Sequence, residues 1–347
     1  MEKLPSNLGG IGFGKPTYVK YNFMKKIFLL FLFLYCYGCG TTAEENTTTE
    51  PKEAVFNISE GKKNPYLVVL GIAQDAGYPQ ASCKKDCCKA VWKDLSKRKM
   101  VSCLGLVNPS EGKGFIFDAT PDFKNQLNIL QKNHHVDLGG IFLTHGHMGH
   151  YTGLMHLGRE AMGTKDVPVY AMSRMGNYLK TNGPWSQLVK LKNIALRKLE
   201  DKTAVALASE IQVTPILVPH RDEFSETVGF FMNGKNKSAV FIPDIDKWNK
   251  WDADIVEIIK TVDIALLDGT FFENGEIPGR DMSLIPHPFM EESMKLFEGL
   301  SKEDKAKIHF IHFNHTNPVL KEGSVAREEV LAKGFRIAEE GMMFDLD

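Results

Sequence analysis

Three imidazoles fall within six residues in Thr144-His145-Gly146-His147-Met148-Gly149-His150, directly after the apolar run Gly140 to Thr144. Few packed cores need that many titratable rings, whereas neutral imidazole is the commonest side-chain ligand of zinc-class ions. Two-residue alternation lets His145 and His147 point the same way and share one ion, while His150 turns toward a neighbouring one. Glycines at 146 and 149 make room for a ligand loop rather than filling a core; a solvated histidine-rich turn is the alternative. Water bound by such an ion has its pKa lowered to about 7, which gives a nucleophile at neutral pH.

Three clustered histidines need partners, and several apolar runs end in one. His220 closes the run before Arg221-Asp222-Glu223, Asp244 closes Ser238 to Pro243, and His312 closes Lys307 to Ile311. In sheet-built enzymes, strand ends facing one edge are where sites assemble. Singly each reads as a rim histidine or a turn-forming Asp, so only the set predicts a metal site. Strands are expected over Tyr66 to Ile72, Gly114 to Asp118, Gly140 to Thr144, Ile211 to Val218, Val228 to Met232, Ser238 to Ile242, Asp263 to Leu267 and Lys307 to His312. Asn233-Gly234 suits a hairpin, and Ser301 and Asp304 bracket a turn. Helices are expected over Ala253 to Thr261, Pro288 to Phe297 and Ser324 to Lys333, the last stopped by Gly334. Strands interleaved with covering helices, without an internal repeat, predict a layered α/β protein.

The whole chain has 347 residues, 43% of them hydrophobic and 24% charged, enough for a sizeable core and incompatible with a disordered or fibrous chain. Its 42 basic and 43 acidic residues leave a formal charge of -1, without the broad positive field that a nucleic-acid partner requires. Residues 1–23 fit no targeting pattern. From Met24, two lysines precede the apolar run Ile27 to Tyr37 and then Gly38-Cys39, the order of a secretory signal. That run spans 11 residues, well short of the roughly 20 that a membrane-crossing helix needs. A small residue before a cysteine resembles the lipobox of bacterial lipoproteins, with Cys36 where Leu is usual. Residues 24–39 are thus expected to be a signal peptide with Cys39 lipidated, 40–64 a polar tether, and 65–347 the folded domain. This implies a place in the bacterial cell envelope, periplasmic or surface-facing, held to the membrane by lipid.

The order HxHxxH, a later His, a strand-end Asp and a late His resembles the metallo-β-lactamase fold hydrolases, from about Tyr66 to the C-terminus. Gly77-Tyr78-Pro79-Gln80, Ala119-Thr120-Pro121-Asp122-Phe123, Thr152-Gly153-Leu154 and Ile311-His312-Phe313-Asn314-His315-Thr316-Asn317-Pro318 are similar to the pyrroloquinoline quinone biosynthesis B proteins and to the cyclic phosphodiesterase of phosphonate breakdown. The resemblance implies a four-layer αββα sandwich. It also implies His145, His147 and His220 around a first metal, His150 and His312 around a second, and Asp244 bridging them. One or two zinc ions are the expected cofactor, with iron or manganese as alternatives. One position departs from the family: Gly149 stands where relatives carry a metal-binding Asp. Its absence is expected to weaken the second site, unless Asp268 or Asp246 moves in; Gly149→Asp is expected to restore occupancy. Asp268 reads equally as a plain turn residue. His287, in Ile285-Pro286-His287-Pro288, is a candidate general acid or a structural helix-start residue.

Cys83-Lys84-Lys85-Asp86-Cys87-Cys88 falls where the B proteins carry a C-x-C-x-x-C cluster that holds a structural zinc. Cys83 and Cys88 match, Lys85 replaces the middle cysteine, Cys87 or Cys103 is available as a third thiolate, and His315 as a fourth ligand. Outside the cytosol the same cysteines could instead form disulfides. The leading functional expectation is a lipid-anchored metallohydrolase of a small-molecule ester or phosphodiester. The alternatives are a quinone biosynthesis B-like role, with iron-dependent oxidation or handling of a precursor, and a non-catalytic binding protein. Two zinc ions would favour the first, one iron the second, no metal the third.

Overall fold

The computed structural model describes residues 61–208 and 210–347. The lipidation site Cys39, the signal segment and nearly all of the tether lie outside the described residues. Among the described residues, fourteen strands form two seven-stranded sheets. In chain order, β1 (Tyr66–Gly71), β2 (Cys103–Asn108), β3 (Lys113–Phe117), β4 (Asp137–Phe142), β5 (Val167–Ala171) and β6 (Ile194–Lys198) build the first. The second contains β7 (Val205–Ala208), β8 (Ile211–Leu217), β9 (Val228–Asn233), β10 (Ser238–Ile242), β11 (Ile264–Asp268), β12 (Ile308–Ile311) and β13 (Arg336–Ile337). The last strand, β14 (Met343–Asp345), returns to pair antiparallel with β1.

Alternation along each strand sorts side chains between two faces. In β1, Leu67 and Val69 enter the layer between the sheets, together with Phe115, Phe117, Phe230 and Phe241, whereas Tyr66, Val68 and Leu70 turn outward. The outward face is covered by the helices Phe123–His134, Ser173–Thr181 and Trp185–Lys190 through Phe123, Leu127, Leu130, Met175, Leu179 and Leu188. Helices Ile255–Thr261, Met290–Leu296 and Val325–Ala332 cover the second sheet. The result is helix, sheet, sheet, helix, the expected αββα sandwich. Aromatic rings key the central layer: Phe117 stacks on Phe142 at 5.1 Å and meets the edge of Phe230 at 5.3 Å. Such pairs add about 0.5–1.5 kcal/mol each beyond their buried area.

Each sheet is antiparallel on one side and parallel on the other. Strands β3 to β6 run parallel, as do β10 to β13, while β7 to β10 form an antiparallel meander. Because β1 and β3 are both antiparallel to β2, they end at the same edge, as do β8 and β10 through β9. Residues following β1, β3 and β4 in one sheet and β8, β10, β11 and β12 in the other are therefore brought to common edges.

Several boundaries differ from expectation. β4 begins at Asp137 and ends at Phe142, so Thr144 lies in the exit loop rather than the strand. The segment expected as a turn at Ser301 to Asp304 opens the helix Lys302–Lys307, with Ser301 Oγ accepting from the Asp304 amide at 3.0 Å.

The segment from 274 to 281 is tied back by Glu276, whose carboxylate accepts from the Phe272 amide at 2.7 Å and from the Thr316 hydroxyl. Burial pushes the Glu276 carboxyl up from 4.5 to about 7, against the opposing pull of Thr316 and Phe272. The folded chain then holds this proton more tightly than the unfolded one. Its stabilisation is complete below the unfolded pKa and is lost as pH rises through about 7, by at most ~3 kcal/mol. Thermal melts at pH 5 and pH 8 should differ less for Glu276→Gln than for the wild type; an unchanged difference would refute this assignment.

Candidate metal centre

The loop after β4 delivers His145, His147 and His150, the loop after β8 delivers His220, and Asp244 and His312 follow β10 and β12. Their rings converge: centroids lie 4.4 Å apart for His145 and His147, 5.1 Å for His147 and His220, and 5.4 Å for His150 and His312. Asp244 sits among them, 97% buried. Its Oδ1 is 3.2 Å from His220 Nε2, and its Oδ2 is 3.3, 3.6 and 3.9 Å from Nε2 of His145, His150 and His312. One set of donors, His145, His147, His220 and Asp244, lies within a 4.8 Å span, and so does a second, Asp75, His150, Asp244 and His312.

Supporting side chains fix which ring nitrogen faces inward. The Thr144 hydroxyl donates to Asp118, at 2.9 Å from its Oδ2, and is left to accept from His145 Nδ1 at 2.9 Å, so His145 Nε2 carries the lone pair. His150 Nδ1 donates to Asp118 Oδ2 at 2.7 Å, which turns Nε2 toward Asp75 and Asp244. On the other sheet, Thr270 Oγ1 donates to Asp268 Oδ1 at 2.7 Å and accepts from His312 Nδ1 at 2.9 Å. His147 faces the cluster through Nδ1, 2.8 Å from His145 Nε2, with Nε2 against Glu223 at 3.0 Å. Such outer partners set the tautomer and basicity of metal-binding histidines. Asp118 and His312 hold left-handed φ of 71° and 69°, a cost that non-glycine residues bear where surrounding contacts over-determine them.

The donor set fits an ion. His220 Nδ1 and Nε2, Asp244 Oδ1 and His312 Nε2 are buried without a hydrogen-bond partner, a rare condition that calls for a ligand. A tetrahedral ion with bonds of about 2.0–2.1 Å separates its donors by about 3.3 Å, close to the 3.2 and 3.3 Å from Asp244 to His220 and His145. The electrostatics also favour a cation. Burial holds His145 well below its ordinary value and lowers His220 to about 4, keeping both neutral. At Asp244, burial would raise the carboxyl, but the imidazoles of His220, His287 and His312 outweigh it and hold it well below the carboxylate range.

His287 and Asp268 meet on the rim of this cluster. His287 Nδ1 lies 2.8 Å from Asp268 Oδ2 and 3.3 Å from Asp244 Oδ1. Burial opposes its charge, yet Asp268 and Asp244 push His287 up to about 9. Asp268 is wholly buried and also accepts from the Ile245 amide at 3.2 Å and the Thr270 amide at 2.8 Å. Its carboxylate orients His287 and Thr270, and with His287 and His312 it forms a further group of donors within a 4.8 Å span. Asp246 is tied to Lys250 at 2.7 Å. The residue the sequence did not disclose is Asp75, whose Oδ1 is 3.1 Å from His150 Nε2 and 3.7 Å from His312 Nε2. It follows β1 in Ala73-Gln74-Asp75-Ala76-Gly77, which carries no spacing pattern; only the edge to which β1 runs could have pointed to it.

A second, separate group joins Cys83, Cys87, Cys88 and His315 within a 4.8 Å span. His315 Nδ1 lies 3.5 Å from Cys87 Sγ and 3.4 Å from Cys88 Sγ. All four described cysteines are free thiols, which corrects the disulfide alternative, and the Cys83 and Cys87 sulfurs are 3.8 Å apart. Cys103 does not join them: it is buried in β2 and faces the Asp118 carbonyl at 3.5 Å. Helix Asp86–Lys93 supplies the adjacent pair Cys87 and Cys88, which compensates for Lys85.

The sandwich with a histidine- and aspartate-lined centre at its strand ends defines a metallo-β-lactamase fold. A family model described as a beta-lactamase superfamily domain matches residues 114–310, more than half of the chain, and the chain belongs to that family. A coenzyme PQQ synthesis protein B from Methylorubrum extorquens (strain PA1) is 25% identical over 305 residues, covering 81% of this chain and 100% of the relative. One from Pseudomonas protegens is 24% identical over 313 residues, covering 81% and 100%. Among solved structures, Zn(2+)-bound PqqB from Methylobacterium extorquens matches with a TM-score of 0.68 at 23% identity, covering 81% of this chain and all of that one. A diphosphatase from the PhnP family matches at 0.58 and 21%, covering 81% and 96%. At these identities the structural likenesses establish the fold.

Proposed function

We propose that the protein is a metal-dependent hydrolase of a small-molecule ester or phosphodiester. The observation that carries this reading is the convergence of His145, His147, His150, His220, His312 and Asp244, with several of their inward atoms buried and unpartnered. One or two zinc-class ions held there would supply Lewis acidity and a nucleophile drawn from water at neutral pH. The chain's own residues orient the donors through Asp118, Thr144, Asp268 and Thr270. His287, whose Nδ1–H is held by Asp268, is the candidate acid for a leaving oxygen through a proton on Nε2. Cys83, Cys87, Cys88 and His315 would hold a structural zinc away from this chemistry, since three thiols with one imidazole match the ligand sets of closed zinc sites.

Anchoring in the bacterial envelope through lipid on Cys39 is part of the same proposal, supported by the order of charged, apolar and small residues from Met24 to Cys39. Among the described residues no helix is long and apolar enough to cross a membrane. A second reading, handling or iron-dependent oxidation of a precursor, is supported by the 25% identity to coenzyme PQQ synthesis protein B across 81% of the chain.

His145→Ala should lower both metal content and hydrolysis of a chromogenic phosphodiester such as bis(p-nitrophenyl) phosphate. Elemental analysis of protein purified without added metal separates the readings: zinc beyond the one equivalent of the cysteine group supports hydrolysis, and iron supports oxidation. Wild-type metal stoichiometry in His145→Ala would remove the basis for the site.

A further inference from the structure

The glycine at 149 is not there for its backbone freedom, because its φ lies outside the left-handed region. It is there for space. A first side-chain carbon at 149 would lie 2.4 Å from Asp75 Oδ1, 2.5 Å from Asp75 Cα and 2.8 Å from Asp75 Cβ, and contacts under 3.0 Å with backbone cannot be relieved by turning a side chain. No residue other than glycine fits at 149 while Asp75 keeps its place. This overturns the expectation that Gly149→Asp alone would raise occupancy.

Asp75 is held firmly in that place. The amides of Ile72 and Ala73 both donate to the Met100 carbonyl at 2.9 Å, the Gln74 amide donates to the Phe313 carbonyl at 2.8 Å, and the Phe313 amide donates back to Ile72 at 2.8 Å. Phe313 directly follows His312, so one short backbone pairing sets the positions of both Asp75 and His312. The Asp75 carboxylate completes a set with His150, Asp244 and His312, in which His312 Nε2 is buried and lacks a hydrogen-bond partner. Two carboxylates and two imidazoles suit a divalent ion of the zinc, iron or manganese class. Asp75 is also the accessible member: its side chain is 35% exposed, against 0% for His150 and His312 and 3% for Asp244. That gives an ion a way in.

We infer that Asp75 is the carboxylate ligand of the second ion, supplied from the loop after β1 in place of a carboxylate at 149, and that Gly149 is glycine because Asp75 fills the space. This rests on the metal-centre reading and assigns one ligand within it.

The test counts zinc per full-length chain by elemental analysis after equilibrium dialysis at fixed free zinc. It compares the wild type with Asp75→Asn, Gly149→Asp and His145→Ala. Asp75→Asn keeps the side-chain shape, and circular dichroism checks that each variant is folded. The expected result is one zinc fewer for Asp75→Asn and no gain for Gly149→Asp. Wild-type zinc content in Asp75→Asn, with a loss in His145→Ala, would overturn the assignment of Asp75 and leave the metal-centre reading standing. Wild-type content in both would overturn the two together.

Discussion

Asp244→Ala is expected to lose metal from both halves of the centre at once. The Asp244 carboxylate is the one group common to the two donor sets, reaching His145, His220 and His150 within 3.2–3.6 Å. A ligand on one side only, such as His147, removes one donor from one set; Asp244 removes a donor from each, along with the negative charge that offsets a cation in a buried cage. The fall in zinc affinity should exceed the roughly 10–100-fold that follows loss of an outer supporting residue, and hydrolysis should fall with it. Stability separates this from simple damage. Because an ion that binds only the folded chain stabilises it by mass action, the wild-type melting temperature should rise with added zinc and drop with a chelator. In Asp244→Ala the part of that response due to the centre should vanish, leaving the part due to the cysteine group. A variant that keeps wild-type zinc content would refute the central position of Asp244.

The ligand histidines were legible because chemistry and topology coincide at them. His145, His147 and His150 announce themselves by density, and His220, Asp244 and His312 by standing at the ends of apolar runs that the fold carries to common edges. A layered α/β protein was likewise legible in the alternation of strand-like and helix-like runs, while the αββα order came from the family resemblance; β2, β5 to β7 and helix Phe123–His134 were not singled out. Asp75 was not legible because nothing local marks it. Its role depends on β1 ending beside β12, a pairing 240 residues apart in the Ala73–Phe313 bridge. Asp118 was read only as a strand end, since its part in orienting Thr144 and His150 depends on the parallel pairing of β3 with β4. Of the two third thiolates the sequence offered, the structure brings Cys87 to the cysteine group, from the first turn of helix Asp86–Lys93, and leaves Cys103 in β2.

Asp118→Ala is expected to be the most destabilising single change at the site. The carboxylate is wholly buried and takes hydrogen bonds from the Thr144 amide at 2.8 Å, the Thr144 hydroxyl at 2.9–3.0 Å and His150 Nδ1 at 2.7 Å. Deleting it strands these donors away from water. Burial opposes charge on His150, and Asp118 and Asp75 outweigh it and hold that ring well above its ordinary value; loss of Asp118 removes the larger of the two supports. Breaking a buried charge pair of this kind costs about 3–5 kcal/mol, and a drop of roughly 5–10 °C in melting temperature is the corresponding scale. Asp118→Asn provides the sharper comparison. Asparagine tolerates the left-handed φ of 71°, so the backbone can stay as it is, but its amide NH2 must face either the Thr144 donors or His150 Nδ1. If Asp118 acts by orienting His150 and, through Thr144, His145, then Asp118→Asn should weaken zinc binding by about 10–100-fold and also lower stability in the presence of chelator. Zinc affinity equal to the wild type in Asp118→Asn, whatever its melting temperature, would confine Asp118 to packing and remove it from the metal centre.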